Sequence, residues 1–206
     1  MANPATYSAT DLARWGLLEA ARRESTRDQL MVAIPEPSEA VLAVLHQQHP
    51  DGDPAQLARR WRWQQWCQQH GAARVASHFL ARKAGLDQVS FWRLACSDGD
   101  LIGELYQQLR EGESSFEQLA QQGGEAWQVS FSGPVALEQV PPDLAGLLRV
   151  SAVGELWAPR QLADGRWQLL RLELLQAAVL DDTLRARLVA ELGEASLAQM
   201  LRQPNG

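Results

Sequence analysis

The chain has 206 residues, of which 46% are hydrophobic and 21% charged, and its formal net charge is −6. That length allows one ordinary domain or two small ones around a real core. The acidic balance argues against a nonspecific nucleic-acid binder, which needs a basic surplus, and no apolar run approaches the roughly 20 residues of a membrane span. Residues 1–15 lack a basic segment followed by an apolar one, so no secretory signal is read there and a cytoplasmic location is expected.

Cys67 and Cys96 are too few for a disulfide framework and are expected as reduced thiols. The four histidines, His46, His49, His70 and His78, all lie in the N-terminal part. His46 and His49 have an i, i+3 spacing that a metal site could use, but no cysteine or carboxylate set accompanies them. They read as surface residues at a helix end. No phosphate-binding loop appears, and neither a metal nor a cofactor is expected.

In chain order, the first 86 residues read as helix. Ser8 to Asp11 forms a capping-box pattern, followed by Leu12, Trp15, Leu17 and Leu18 at helical spacing. Pro35 and Pro37 break the chain, and Ser38 can cap a short helix bearing Val41, Leu42, Val44 and Leu45, ending near His49-Pro50. Asp53-Pro54 signals the next start, for one long helix or two joined near Gly71, closed by Gly85. The character changes at Gln88, where residues 88–95 are rich in strand formers. Residues 97–100 cap a helix ending at Gly112, and Ser114 to Glu117 offers a second capping box. Residues 127–131 alternate like a strand, Pro141-Pro142-Asp143 leads a short helix, and 155–157 and 167–174 read as two strands around the Asp164-Gly165 turn. Residues 181–202 form a strongly periodic helix. Mixed elements with short connections predict an α+β unit with a small sheet.

That order, with local sequence, resembles the parvulin-type peptidyl-prolyl cis–trans isomerase (rotamase) family over about residues 86–175. Residues Glu104 to Ala120 are similar to its first helical hairpin. Val140-Pro-Pro-Asp-Leu144 falls where the family lines its proline pocket, residues 151–156 resemble the loop entering the last strand pair, and 165–172 resemble the final strand. The flanks, including residues 78–89, look most like a cyanobacterial parvulin-like branch with a SurA-like helical frame. The resemblance implies a SurA-like helical region over 1–86, a parvulin-like domain over 87–176, and a C-terminal helix over 177–206 that packs back on the N-terminal region.

Rotation about a prolyl bond faces a barrier of about 18–20 kcal/mol. A catalyst must hold the ring in an apolar pocket and favour the twisted amide. The family does so with a Met, Leu and Phe wall above two histidines and an acid or cysteine. Here the first-strand histidine falls at Trp92, or at Phe91 if the register slips by one, and the last-strand histidine falls at Gln168. The hydroxyl residue before it becomes Gly165, and of the acid only Glu125 stands nearby. Val140 and Leu144 keep part of the apolar wall. Trp92, Trp127, Trp157 and Trp167, one per expected strand, could form an aromatic platform or fill the core of the sheet.

The resemblance therefore implies a catalytically degenerate protein, a peptide- or protein-binding chaperone or assembly and maturation factor with weak or no isomerase activity. Its expected binding residues are Trp92, Trp127, Val140, Leu144, Trp167 and Gln168. Its partner would be a proline-containing peptide or protein client, with a peptide export or maturation system as one source. Two alternatives are an active peptidyl-prolyl isomerase and a non-catalytic scaffold.

Overall fold

A computed structural model describes residues 8–202. They form an α+β protein with a four-stranded antiparallel sheet, divided into two compact units. One comprises residues up to Leu80 together with those from Leu180 onward, and the other is the continuous stretch Ala81–Val179.

The helical unit opens with α1 (Ala9–Arg14), whose N-terminus carries the full Ser8–Asp11 capping box. The apolar spacing from Leu12 to Leu18 predicts one helix, but the chain turns at Gly16, whose φ of 70° suits glycine, and Leu17 N–H closes back on the Leu12 carbonyl at 2.8 Å. A second helix, α2 (Leu18–Met31), follows. The helix α3 (Glu39–Gln48) is capped by Ser38, and α4 (Pro54–Gly71) by Asp53, whose carboxylate accepts from Gln56 N–H at 3.2 Å. His46 and His49 are both exposed, at the end of α3. A single 3-10 turn at Ala72–Arg74 separates α4 from α5 (Val75–Leu86). Gly85 does not end α5 with a left-handed turn: it lies within the last turn, where a Cβ would stand 3.3 Å from the Glu138 side chain.

The last helix, α9 (Asp182–Arg202), packs against α2 and α4. Its Leu188, Val189, Leu192 and Leu197 are buried, as are Leu57, Trp66 and Cys67 of α4. Small residues let the two axes approach: Gly193 sits over Cys67, and Gly71 faces the Val189 carbonyl. Around this seam Glu194 accepts from Arg27 at 2.7 Å and from the Trp63 indole at 3.0 Å, and also pairs with Arg23. Arg27 lies 4.8 Å from the centroid of the Trp63 ring, which stacks on Trp66, and Trp66 stacks on His70. Each of these ion pairs and ring contacts is worth less than the burial of the aliphatic seam; together they fix which faces meet.

Burial, with Glu194 adding its negative charge, pushes the Cys67 thiol up to about 11. Both cysteines are free and buried. A thiol-reactive aromatic disulfide at pH 8 should therefore label almost no sulfur in the native protein and both after unfolding. Rapid uptake of one equivalent by the native chain would contradict that burial.

In the β unit, β1 (Gln88–Cys96) is followed by α6 (Gly99–Glu111), α7 (Phe116–Gln122), β2 (Trp127–Ala136), α8 (Pro142–Val150), β3 (Leu156–Gln161) and β4 (Trp167–Gln176). The strand order is β2-β1-β4-β3, every pair antiparallel. The helix starts are locally encoded: Asp98 caps α6 through two backbone N–H groups, and α6 ends at Gly112 with φ 74°. The box at α7 is one residue later than its sequence pattern suggests, Ser115 with Gln118, which lets Phe116 enter the core. The strands β2 and β3 also run several residues beyond their expected ends, because pairing with a central neighbour carries them through glycine and proline.

Two cores lie on opposite faces of the sheet. Leu94, Cys96 and Leu169 pack with Ile102, Leu105 and Leu109 of α6 and with Phe116 and Leu119 of α7. On the other face Val89, Phe91, Leu170 and Leu172 pack with Leu137, Val140 and the α8 residues Leu144, Ala145 and Leu148. Strand alternation makes this division strict along β1; beside Ser90 and Phe91 the register shifts because β2 and β4 each carry one residue more than β1 there.

Candidate functional site

The six expected binding residues do not form one cleft. Trp92, Trp127 and Trp167 lie against the α6–α7 core. Val140 and Leu144 belong to the α8 core on the opposite face, and Gln168, two residues from Leu170 along β4, points to that same side. Alternation along β1 is the reason: Phe91, two residues on from Val89, shares the α8 face and pairs with Leu172, whereas Trp92 faces α6 and α7. Of the two, Phe91 is therefore the one that shares a face with Val140, Leu144 and Gln168.

The α8 face is also closed. Phe91 retains 5% of its exposure, Val140 7%, Leu144 6% and Gln168 4%. What would be the wall and floor of a proline pocket is the packed interior of the unit. Neither histidine, cysteine nor carboxylate is among these four positions. Gly165 sits in the β3–β4 turn with φ 84°, and Glu125 is exposed in the turn before β2.

The tryptophans are anchored individually. The Trp92 ring stacks on Phe116 at 5.8 Å, Trp127 donates its indole N–H to the Leu119 carbonyl at 3.1 Å, and Trp157 donates to the Ser151 hydroxyl at 2.6 Å. Trp167 covers the start of α6, where a Cβ on Gly99 would stand 3.1 Å from its indole nitrogen. Each polar tip is used inside the unit or seated against a helix, which suits half-buried core rings better than a common platform. The aromatic ring that does face outward is Phe131 on β2, half exposed and 4.9 Å from Trp92.

Open surface lies along β2 instead. A cavity of about 530 Å³ is bounded by Arg93 and Ala95 of β1, residues 127–130 of β2, the end of α7, and Arg166. Arg166 is engaged: its guanidinium holds the Asp164 carboxylate at 2.7 Å, keeping that acid below the usual range while its own proton is held more tightly. The Arg93 side chain makes no hydrogen bond or ion pair among the described residues, and its Nε is buried. Sequence reasoning passed over Arg93 and Phe131. The available signal was a single arginine inside an apolar strand, residues 88–96, together with a strand, 127–136, that carries no charge at all.

No family model matches the chain, and no curated protein matches its sequence. Solved structures do. The peptidylprolyl isomerase PrsA of Bacillus anthracis is 14% identical, with 94% of this chain and 82% of that chain covered and a TM-score of 0.43. The foldase protein PrsA of Streptococcus pneumoniae is 10% identical, covering 97% of this chain and 78% of that one at a TM-score of 0.38. A structure from the SurA-like chaperones of Campylobacter jejuni is 10% identical, covering 94% and 82% at a TM-score of 0.28. Identities this low transfer no residue's role from one protein to another.

Proposed function

We propose that this chain is a degenerate parvulin-like protein that binds extended segments of peptide or protein clients, as a chaperone or assembly and maturation factor, with little or no prolyl isomerase activity. The observation that carries this is the closed α8 face. Phe91, Val140, Leu144 and Gln168 are interior, so a proline ring has no apolar pocket to enter there and no titratable group waiting beneath it. A catalyst that works by holding the twisted amide better than either planar form needs that pocket open. The half-exposed Phe131 and the cavity beside β2 offer surface for a chain that is held rather than isomerised.

Within the same proposal the protein acts in the cytoplasm, and the family resemblance in residues 86–175 adds a peptide export or maturation system as the source of clients. The test pairs two assays on the full chain. In a protease-free isomerisation assay over a panel of X-Pro peptides, the expected result is no saturable acceleration at high protein concentration. In an aggregation assay with a chemically unfolded client, a molar excess of the protein should suppress light scattering. Saturable acceleration of isomerisation would return the protein to the enzymes, and failure in both assays would leave a scaffold role.

A further inference from the structure

The two edges of the sheet are built differently. The β3 edge (Leu156–Gln161) carries Pro159 and Arg160, residues that discourage a further strand from pairing. The β2 edge is unguarded over residues 127–132, ahead of Gly133-Pro134: these six carry no charge and no proline, and they make no backbone hydrogen bond outside the sheet ladder among the described residues. An exposed, uncharged edge strand presents free N–H and C=O groups to another extended chain.

The two faces of that edge also differ in chemistry. Residues opposite each other across the β1–β2 ladder share a face, so Ser130 lies beside Arg93 and Gln128 beside Ala95. On the other face Val129 lies beside Leu94, and Phe131 beside Trp92. A strand added at β2 would sit about 4.8 Å beyond it, and so roughly 10 Å from β1. From there a carboxylate beside Ser130 is within reach of the unpartnered Arg93 guanidinium, a planar fork suited to two-point recognition of a carboxylate. Its neighbours in sequence would point to the Phe131 side.

We propose that β2 is a strand-addition site for an extended client segment whose side chains alternate, acidic toward Arg93 and apolar toward Val129 and Phe131. This rests on the reading of the chain as a client-binding protein and specifies the client's chemistry.

The test titrates the full-length protein with acetylated and amidated Val-Glu-Val-Glu-Val-Glu-Val, with the same peptide carrying Gln in place of Glu, and with a version N-methylated at alternate residues. Binding is read by isothermal calorimetry, and its place by amide exchange. The acidic peptide should bind about tenfold more tightly than the Gln peptide, the worth of one charge-assisted pair. It should slow exchange in residues 127–132, and N-methylation should abolish binding. Arg93→Gln should bring the acidic peptide down to the affinity of the Gln peptide. If that variant does not fold, the comparison of peptides on the native protein decides. Equal affinity for both peptides, no binding by either, protection at another strand, or a tenfold preference that survives Arg93→Gln overturns the proposal. Failure here with client aggregation still suppressed removes the β2 site and leaves the chaperone reading standing. Binding as expected without suppression of aggregation does the reverse.

Discussion

Gly133→Ala should destabilise the β unit by about 3 kcal/mol or more, the sum of a strained backbone and an overpacked site. Gly133 has φ 124°, a region that side-chain-bearing residues avoid, and an added Cβ would lie 2.5 Å from both the Val89 carbonyl oxygen and the Ser90 hydroxyl. The carbonyl belongs to the central strand of the sheet and cannot step aside as a long side chain would. This is also where the β1–β2 register shifts, β2 carrying an extra residue opposite Ser90, so the substitution presses on the bulge itself. Urea unfolding followed by tryptophan fluorescence measures the loss, since four of the rings lie in this unit. A change below about 1 kcal/mol would mean that the bulge absorbs the methyl group and is far softer than its packing indicates.

Gly193→Ala is the counterpart in the helical unit. Alanine favours a helix over glycine by about 1 kcal/mol, so an open position would gain stability. Here the new Cβ would overlap the Cys67 sulfur and lie 3.0 Å from its Cβ, and the expected result is a net loss of about 2 kcal/mol. Removing the sulfur relieves the worst of the overlap. In a Cys67→Ala background the same change should cost at least about 1 kcal/mol less, the coupling expected of residues in direct contact. Urea unfolding followed by far-ultraviolet circular dichroism, with the four members of the cycle compared, gives that number. Additive losses would show that α4 and α9 separate freely at this crossing.

The order of elements was legible because each start is written locally. Ser38, Asp53 and Asp98 cap the helices they precede, and the run from Gln88 to Cys96 has the residues of a strand. Positions where tertiary pairing overrides local preference were not legible. Strand β2 continues past Phe131 because β1 offers partners as far as Ala136, and the helix expected from Leu12 through Leu18 breaks because Gly16 turns the chain. The candidate site was hardest to see. Its residues were chosen by likeness to a family, and the pairing of Cys96 with Trp127 and Trp167, and of Ala95 with Gln168, sets them on opposite faces, a division that shows only once the strands are paired. Burial of Gln168 was equally hidden, since a glutamine between Trp167 and Leu169 reads as an outward position.

The helical unit is assembled from residues up to Leu80 and those from Leu180 onward, with all of 81–179 lying between them in sequence. A ribosome releases α2 and α4 long before α9, so their apolar faces wait through the synthesis of about a hundred further residues. The β unit has no such delay, because its strands and helices emerge consecutively. It can complete its own core while the helices ahead of it remain open, and the helical unit closes only once α9 has left the exit tunnel. Until that moment a nascent copy of this protein exposes the same kind of apolar surface as any unfolded chain.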